Sequence, residues 1–178
     1  MRDEELLRLA EEYGTPIYVY DLDLLAERAR SVKMALEGQA GLLYAVKANP
    51  NGVLLREAQS WADGLDISSG GELRMALNAG WDPGRMSFAG PGKTPAELDS
   101  AVGAGCGSIR VESLDDLEAI LAAGERMGKK PRVSLRVNPL ELSGPFGLKM
   151  GGKPTQFGVD EESAAEALDA IVRAVRAD

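Results

Sequence analysis

The 178-residue sequence contains no histidine and a single cysteine, Cys106. Without histidine, a Ser-His-Asp triad, a histidine metal site and histidine acid–base catalysis are excluded, and we expect no metal ion. One cysteine cannot form an internal disulfide bond, which fits a reducing, cytoplasmic compartment. Any catalysis must therefore use lysine, arginine, acidic residues, tyrosine, the cysteine or a bound cofactor.

Long apolar runs and basic clusters are also missing. No run approaches the ~20 apolar residues of a membrane-spanning helix, and the acidic, amphipathic N-terminus MRDEELLRLAEEYG is unlike a signal peptide. The net charge is −8, so neither nucleic acid nor an anionic membrane is an expected partner. With 44% hydrophobic and 27% charged residues, the composition is that of a globular domain.

Short apolar strands alternate with helical segments along most of the chain. A helix through Glu12, a strand at 15–21 and a helix at 22–36 come first. Five strand–helix units are then predicted, with strands at 42–48, 64–69, 85–90, 107–112 and 132–137, and helices at about 52–62, 70–79, 94–103, 113–127 and 161–176. Repeated units of this kind predict an α/β fold with a parallel sheet.

Two architectures are compatible with these units. A (β/α)8 barrel needs eight units and typically ~250 residues, so the chain has the pattern of such a barrel cut short. The alternative is an open, doubly wound, five-stranded sheet that is complete at this length. In both cases the mostly apolar strands indicate a sheet covered on both faces.

Polar residues gather at the carboxyl ends of the predicted strands, where parallel α/β folds bind ligands. They are Lys47, Asn49, Asp66, Ser68, Glu112, Arg136 and Asn138. Three of them, Lys47, Asp66 and Arg136, place a charge in or next to an apolar run. Parallel strands would bring these three charges to one edge of the sheet. A buried arginine would also need an anionic or aromatic partner.

Two interpretations of Lys47 are open. In a pocket, desolvation would lower the pKa of this lysine, and its neutral amine could form a Schiff base with a carbonyl substrate or with pyridoxal phosphate. Alternatively, the side chain extends from the strand end into solvent. The spacing alone favours the second interpretation.

Two glycine-rich motifs have structural explanations. Directly before FAGPGKTPAEL, Ser87 stands where a phosphate-binding loop needs glycine, which leaves a turn with Thr94 as the N-cap of the next helix. GAGCGS follows a predicted helix and precedes a strand, the reverse of a dinucleotide-binding motif. It therefore predicts a helix C-cap, with Cys106 in a structural role.

The motif DISSGGEL combines a helix start with an unexplained acid. Ser68 or Ser69 could cap the next helix, and Glu72 could complete a capping box. Capping accounts for the serine and the glutamate. It does not account for Asp66 within an apolar strand.

Four motifs together carry a resemblance to a known family. YAVKAN, GLDISSGGEL, FAGPGKT and SLRVNP, in this order and spacing, resemble the N-terminal part of the fold-type III pyridoxal-phosphate-dependent decarboxylases, which include diaminopimelate, ornithine and arginine decarboxylases. The resemblance implies a partial alanine racemase-like (β/α)8 TIM barrel, truncated before a C-terminal β-domain. Residues 22–178 would form the N-terminal portion of the cofactor-binding barrel, and residues 1–21 the helix and strand that join the β-domain.

The resemblance also implies a cofactor, a reaction and a set of site residues. The cofactor is pyridoxal phosphate, and the reaction is loss of CO2 from a small-molecule amino acid. Lys47 matches the lysine that carries the cofactor, Asp66 an acidic residue near the cofactor or the substrate amine, and Arg136 an arginine near the cofactor. Ser68 and Glu72 are further cofactor-site candidates.

Two details refine the resemblance. The lysine motif continues as Pro50-Asn51-Gly52 instead of Tyr-Gly-His-Gly, which favours the decarboxylases over the alanine racemases. The loop GLKMGGKPTQFGVD at 147–160 is similar to a branch from secondary-metabolism and exopolysaccharide clusters, some members of which act on carrier-bound amino acids.

Several family elements are expected beyond Asp178, among them the ring-stacking histidine, the phosphate-binding segment and the β-domain. We therefore expect a homodimer for the full-length family, and an isolated chain that is incomplete without the missing C-terminal half. The alternative function is a non-catalytic pyridoxal-phosphate-binding or scaffold α/β domain.

Overall fold

The computed structural model describes residues 3–140, 152 and 155–176. Its helices are α1 (Asp3–Tyr13), α2 (Leu22–Ala35), α3 (Gly52–Ala58), α4 (Gly70–Asn78), α5 (Pro95–Ala104), α6 (Leu114–Met127) and α7 (Ala164–Arg176). Its strands are β1 (Leu43–Ala45), β2 (Gly64–Ile67), β3 (Met86–Phe88), β4 (Ser108–Val111), β5 (Val133–Leu135), β6 (Val137–Asn138) and β7 (Val159–Asp160). Short 3₁₀ helices cover Val46–Ala48, Pro83–Arg85 and Glu161–Ser163.

Strands β1 to β5 form one parallel sheet in chain order. Each helix from α2 to α7 contacts the next helix along the chain, so the helices form a continuous layer beside the sheet. A doubly wound sheet instead reverses its strand order at a switch point and has helices on both faces. The structure therefore confirms the partial (β/α)8 barrel, and the open doubly wound alternative is wrong.

The two faces of the sheet differ in polarity because strand side chains alternate. One face carries apolar side chains that are 0–1% exposed, namely Leu65, Ile67, Phe88, Ile109 and Val111, and it belongs to the core beneath the helices. The strand register places polar residues together on the other face: Asp66, Ser87, Ser108, Arg110 and Ser134. Among the described residues the helices cover the apolar face, and the expected covering of the second face stays a prediction.

Beyond β5, the short strands β6 and β7 form a separate two-stranded sheet. The backbone N–H of Arg136 donates to the Val111 carbonyl (3.0 Å), and the Val159 N–H donates to the Arg136 carbonyl (2.9 Å), so β7 pairs in parallel with β6. Arg136 lies between β5 and β6 and belongs to neither strand. A Cβ at Gly158, whose φ is +90°, would lie 2.9 Å from the Arg136 carbonyl oxygen, so this position requires glycine.

Three predicted segments differ most clearly from the structure. Residues 15–21 belong to neither sheet, because no described strand lies beside them to supply backbone hydrogen bonds. Helix α3 ends at Ala58, before the predicted position 62. The predicted loop 138–160 contains β7, and the 147–160 motif lies partly outside the described residues.

Predicted helix ends are confirmed at both glycine-rich motifs. Thr94 is the N-cap of α5, and Glu97 completes a capping box with it. Gly105 ends the same helix in the left-handed conformation, with φ of 83°. Cys106 is 6% exposed, and burial raises the pKa of its thiol to about 11, which fits the structural role expected for it.

Glu97 also joins two successive helices. Its Oε1 accepts a hydrogen bond from the Gly70 N–H at the start of α4 (2.7 Å), and its Oε2 accepts from the Thr94 N–H (3.0 Å). The Gly70 hydrogen bond, followed by those from Thr94, lowers the pKa of Glu97. The ionised carboxylate is thus the form that stabilises the fold.

We predict that Glu97→Gln lowers the free energy of unfolding by about 1 kcal/mol at neutral pH, because a glutamine side chain has one acceptor oxygen where the carboxylate uses two. The contribution of Glu97 is complete above the ordinary value of 4.5 and is lost as the pH falls through the lower pKa of the folded chain. Urea unfolding of both proteins, followed by tryptophan fluorescence at neutral and acidic pH, measures this difference.

Glu118→Gln is the matched control, since Glu118 is exposed on α6. It should leave the unfolding free energy within ~0.5 kcal/mol of the wild-type value. A difference between wild type and Glu97→Gln that is equally large at both pH values would contradict the role given to the carboxylate.

Candidate active site

Lys47 lies in the 3₁₀ helix Val46–Ala48, directly after β1. Val46 is fully buried and anchors this turn, whereas the Lys47 side chain is exposed. Among the described residues, its Nζ makes no hydrogen bond and no ion pair. The described residues thus leave this amine exposed, as in the second interpretation, and a cofactor role for Lys47 stays a prediction. Within the described part of the chain, Lys47 presents an amine at the carboxyl edge of the sheet with no carboxylate bound to it.

Polar side chains fix the turn that carries Lys47. The Tyr44 hydroxyl donates to the Asn49 carbonyl (3.1 Å), and the Tyr44 ring packs edge-on against Trp61 with centroids 5.6 Å apart. Burial raises the pKa of Tyr44. The Asn49 side chain accepts from the Asn51 N–H (3.0 Å), and Asn51 in turn caps α3. The backbone on both sides of the amine is thus held in place.

Asp66 lies on the polar face of the sheet, one strand away from Lys47. It pairs in register with Ala45 of β1, two residues before the lysine. Its Oδ1 is buried without a hydrogen bond, and it forms an ion pair with Arg110 whose closest N···O distance is 3.7 Å. That distance exceeds a hydrogen bond, and an unsatisfied buried acceptor costs ~1–3 kcal/mol. A ligand N–H or O–H at this position would therefore be favourable.

The structure assigns the capping roles within DISSGGEL. The Ser69 hydroxyl accepts from the Glu72 N–H (3.2 Å) and is the N-cap of α4. The Glu72 Oε2 accepts from the Ser68 N–H (2.7 Å), one residue before the cap. Of the two serines considered, Ser69 is therefore the cap. Glu72 is engaged at the helix start, and a cofactor role for Ser68 or Glu72 stays a prediction.

Arg136 has both kinds of partner that a half-buried arginine needs. Its Nη1 lies 3.4 and 3.3 Å from Oε1 and Oε2 of Glu112, and its guanidinium carbon lies 5.0 Å from the centroid of the Phe157 ring. The Glu112 side chain is only 2% exposed, and its Oε1 also accepts from the Gly90 N–H (2.9 Å). This arrangement confirms the predicted anionic and aromatic partners.

A second charged pair lies beneath this edge. Lys93 Nζ donates to Asp116 Oδ2 (2.8 Å) and to the Gly90 carbonyl (2.6 Å). The two side chains are 1% and 9% exposed. Asp116 Oδ2 also accepts from the Glu112 N–H (3.0 Å), so this pair holds the backbone around Glu112. Lys93 and Gly90 belong to the FAGPGKT motif, where they fix a turn.

Sequence reasoning missed several of these residues. Glu112 was only one of several polar strand ends, and Lys93, Asp116, Arg110 and Phe157 were not identified as site residues. The spacing Ser113-x-x-Asp116 could have placed Asp116 in the first turn of α6, where Ser113 is indeed the N-cap.

The predicted site residues share one edge without touching one another. Among the described residues, no hydrogen bond or ion pair joins Lys47, Asp66 and Arg136 to each other; Asp66 and Arg136 each pair with a residue of β4 or its end. In the same part of the chain, no group of three or more Cys, Asp or Glu side chains could hold a metal ion. Every helix described is too short or too polar to span a membrane.

Comparison with known proteins identifies related chains. The family model described as "Pyridoxal-dependent decarboxylase, pyridoxal binding domain" matches residues 22–177. The chain is 36% identical to the L-glutamyl-[BtrI acyl-carrier protein] decarboxylase of Niallia circulans, over 97% of this chain and 39% of that protein. It is 39% identical to the diaminopimelate decarboxylase of Neisseria meningitidis serogroup A, over 90% of this chain and 40% of that protein.

Solved structures agree with these relatives. Diaminopimelate decarboxylase from Helicobacter pylori, complexed with L-lysine, matches with a TM-score of 0.78 and 31% identity, over 97% of this chain and 44% of that chain. AQ1208 from Aquifex aeolicus matches with a TM-score of 0.81 and 36% identity, over 94% of this chain and 38% of that chain. The chain thus spans about two fifths of the length of the proteins it matches.

We predict that Lys93→Met lowers the free energy of unfolding by about 3 kcal/mol or more, because it leaves the Asp116 carboxylate buried without its cation. Lys33→Met is the matched control, since Lys33 and Asp63 form an ion pair in which both side chains are 40% or more exposed. It should cost less than about 1 kcal/mol. Equal losses for the two variants in urea unfolding would contradict the structural role of the buried pair.

Proposed function

The chain belongs to the pyridoxal-dependent decarboxylase family, and from that membership we propose that it is the cofactor-binding part of an enzyme that removes CO2 from an amino acid. The observation that carries this proposal is the position of Lys47. Its amine is exposed and has no partner among the described residues, and it stands at the carboxyl edge of the parallel sheet, on a turn fixed by Tyr44, Asn49 and Asn51. In this role Lys47 would hold pyridoxal phosphate through its Nζ atom.

Lys47 differs from other described lysines in its environment. Lys33 and Lys93 are bound to Asp63 and Asp116, and Lys129 donates to the Gly103 carbonyl. An amine that is bound to a carboxylate must lose that partner and a proton before it can act as a nucleophile. Lys47 has no such partner to lose in the described part of the chain, which makes it the favoured site of reaction with an aldehyde among the lysines described there.

The residues around this edge fit pyridoxal phosphate. The buried, unsatisfied Oδ1 of Asp66 offers an acceptor for an N–H or O–H of the cofactor or the substrate amine. The Arg136 guanidinium offers donors for an anionic group, and the Ser68 hydroxyl a further donor. Glu72 supports them by holding the Ser68 N–H. When bound, pyridoxal phosphate supplies a pyridine ring that takes up the electron pair left as CO2 departs.

The proposed substrate is a small-molecule amino acid with a free α-amino and α-carboxyl group. Two relatives, 36% and 39% identical, are named as decarboxylases of diaminopimelate, and another, 36% identical, as a decarboxylase of an L-glutamyl group on an acyl-carrier protein. We propose a diaminopimelate-like substrate, with a carrier-bound amino acid as the alternative within the same reaction.

We also propose how the N-terminus and the wider assembly behave. No residue of α1 is buried, and the Tyr13 and Tyr18 side chains are 69% and 91% exposed, which supports packing of residues 1–21 against a β-domain. The family resemblance supports a homodimer as the functional unit. The unpaired, buried Cys106 supports a cytoplasmic location.

We predict that pyridoxal phosphate followed by borohydride reduction labels Lys47 selectively, because this amine is exposed and unpaired. Peptide mapping by mass spectrometry identifies the labelled lysine. Lys47→Ala should abolish the main labelled peptide, and Lys33→Ala, which alters a paired surface lysine, should leave it unchanged. Labelling scattered over several lysines, unaltered in Lys47→Ala, would contradict the assignment.

A second measurement separates the two candidate functions. Release of CO2 from meso-diaminopimelate is measured for the chain joined to the C-terminal part of a related diaminopimelate decarboxylase, and release above the background of Lys47→Ala supports the decarboxylase. Selective labelling of Lys47 in this joined protein without CO2 release from any amino acid tested supports the alternative, a domain that binds the cofactor without catalysis.

A further inference from the structure

Glu112 is the most completely buried carboxylate at the candidate site. It follows β4 directly, its side chain is 2% exposed, and its Oε1 accepts from the Gly90 N–H at 2.9 Å. One backbone hydrogen bond compensates only part of the cost of burying a charge. The second partner is the Arg136 guanidinium, 3.3 Å from Oε2. The Arg136 guanidinium thus supplies the rest of the compensation for the buried Glu112 carboxylate.

The Arg136 guanidinium is held on two sides and open elsewhere. Nη1 donates to Glu112, and Phe157 lies against the guanidinium at 5.0 Å. Among the described residues, Nε and Nη2 have no hydrogen-bond partner, and the side chain is 27% exposed. A guanidinium carries five N–H donors in a rigid, planar arrangement. Donors therefore remain for an anionic ligand at the edge of the sheet.

We propose that Glu112 is a positioning residue, which holds the Arg136 guanidinium in the orientation that binds an anionic group of the cofactor. This inference rests on the proposed function, since it takes the ligand of Arg136 to be pyridoxal phosphate. A long, flexible side chain loses rotamer freedom when it binds a ligand. Glu112 and Phe157 restrict Arg136 before the ligand arrives, and so reduce that loss.

Glu112 is itself fixed by the buried pair beneath it. Asp116 accepts from the Glu112 N–H (3.0 Å), and Lys93 donates to the Gly90 carbonyl (2.6 Å). The N–H of the same glycine donates to Glu112 (2.9 Å). Two ion pairs, Lys93–Asp116 and Glu112–Arg136, thus lead from the interior to the edge of the sheet. Of these four side chains, Arg136 is the cation that is 27% exposed, and in the described structure its unused donors are available at the edge of the sheet.

Glutamine at position 112 separates the two partners of Glu112. The side-chain oxygen of glutamine still accepts from the Gly90 N–H, but glutamine has no charge to hold the Arg136 guanidinium. A role confined to the Gly90 turn would therefore survive Glu112→Gln. A role in positioning Arg136 would not.

The test measures the pyridoxal phosphate concentration that gives half-maximal borohydride labelling of Lys47. We expect Glu112→Gln and Arg136→Gln each to raise it about tenfold, the factor that corresponds to one hydrogen bond to a charged group. The double variant should be no weaker than Arg136→Gln alone, because Glu112 acts through Arg136. Glu118→Gln, the same change at an exposed position, should leave the concentration unchanged.

Other results overturn the inference, and they do so in distinguishable ways. The positioning role is overturned if Glu112→Gln leaves the half-maximal concentration unchanged, or if the double variant raises it by the product of the two single effects. The proposed function still stands in either case, provided that the wild-type protein is labelled at Lys47. Wild-type protein without labelling at Lys47 overturns both. If circular dichroism shows that Glu112→Gln does not fold, Glu112→Asp replaces it: it keeps the charge but shortens the side chain, and a smaller loss that vanishes in the Arg136→Gln background is expected.

Discussion

The carboxyl edge of the sheet depends on carboxylates that accept hydrogen bonds from backbone N–H groups. Glu72 binds the Ser68 N–H, Glu97 the Gly70 N–H, Glu112 the Gly90 N–H, and Asp116 the Glu112 N–H. Turns that leave parallel strands have N–H groups that neither a strand nor a helix can satisfy. By satisfying them from side chains, the chain fixes the turn after each of β2, β3 and β4, and these turns frame the edge where the candidate residues lie.

The two faces of the sheet differ in what they contact. The helices cover one face with aliphatic and aromatic side chains, whereas the other face carries serines, Asp66 and Arg110. Ser87 lies in register between Asp66 and Ser108, and its small side chain allows Arg110 to approach Asp66 across β3. The polar face thus extends from the carboxyl edge along the strands. On this face the Oδ1 of Asp66 has no hydrogen bond and can accept one from a ligand.

Three lysines show how local environment divides chemistry from structure. Lys93 is buried against Asp116 and fixes a turn, and Lys33 pairs with Asp63 at the surface. Lys47 has neither burial nor a partner in the described structure, yet its backbone is held by the fixed turn after β1. An amine that is accessible and unpaired on a rigid backbone is the arrangement suited to covalent binding of an aldehyde cofactor.

The sequence by itself determined the alternation of strands and helices, the cap at Thr94 and the helix C-cap in GAGCGS, because periodicity and capping patterns depend on residues close together in the chain. The parallel sheet predicted from that alternation placed Lys47, Asp66 and Arg136 at one edge. The sequence left open whether Ser68 or Ser69 caps α4, and the structure assigned Ser69. The sequence did not reveal that residues 15–21 lack a neighbouring strand in the described structure, or that one face of the sheet is polar. The pairs Lys93–Asp116 and Glu112–Arg136 join residues 23 and 24 positions apart. Only the tertiary structure decided them, because strand register and helix packing bring their partners together.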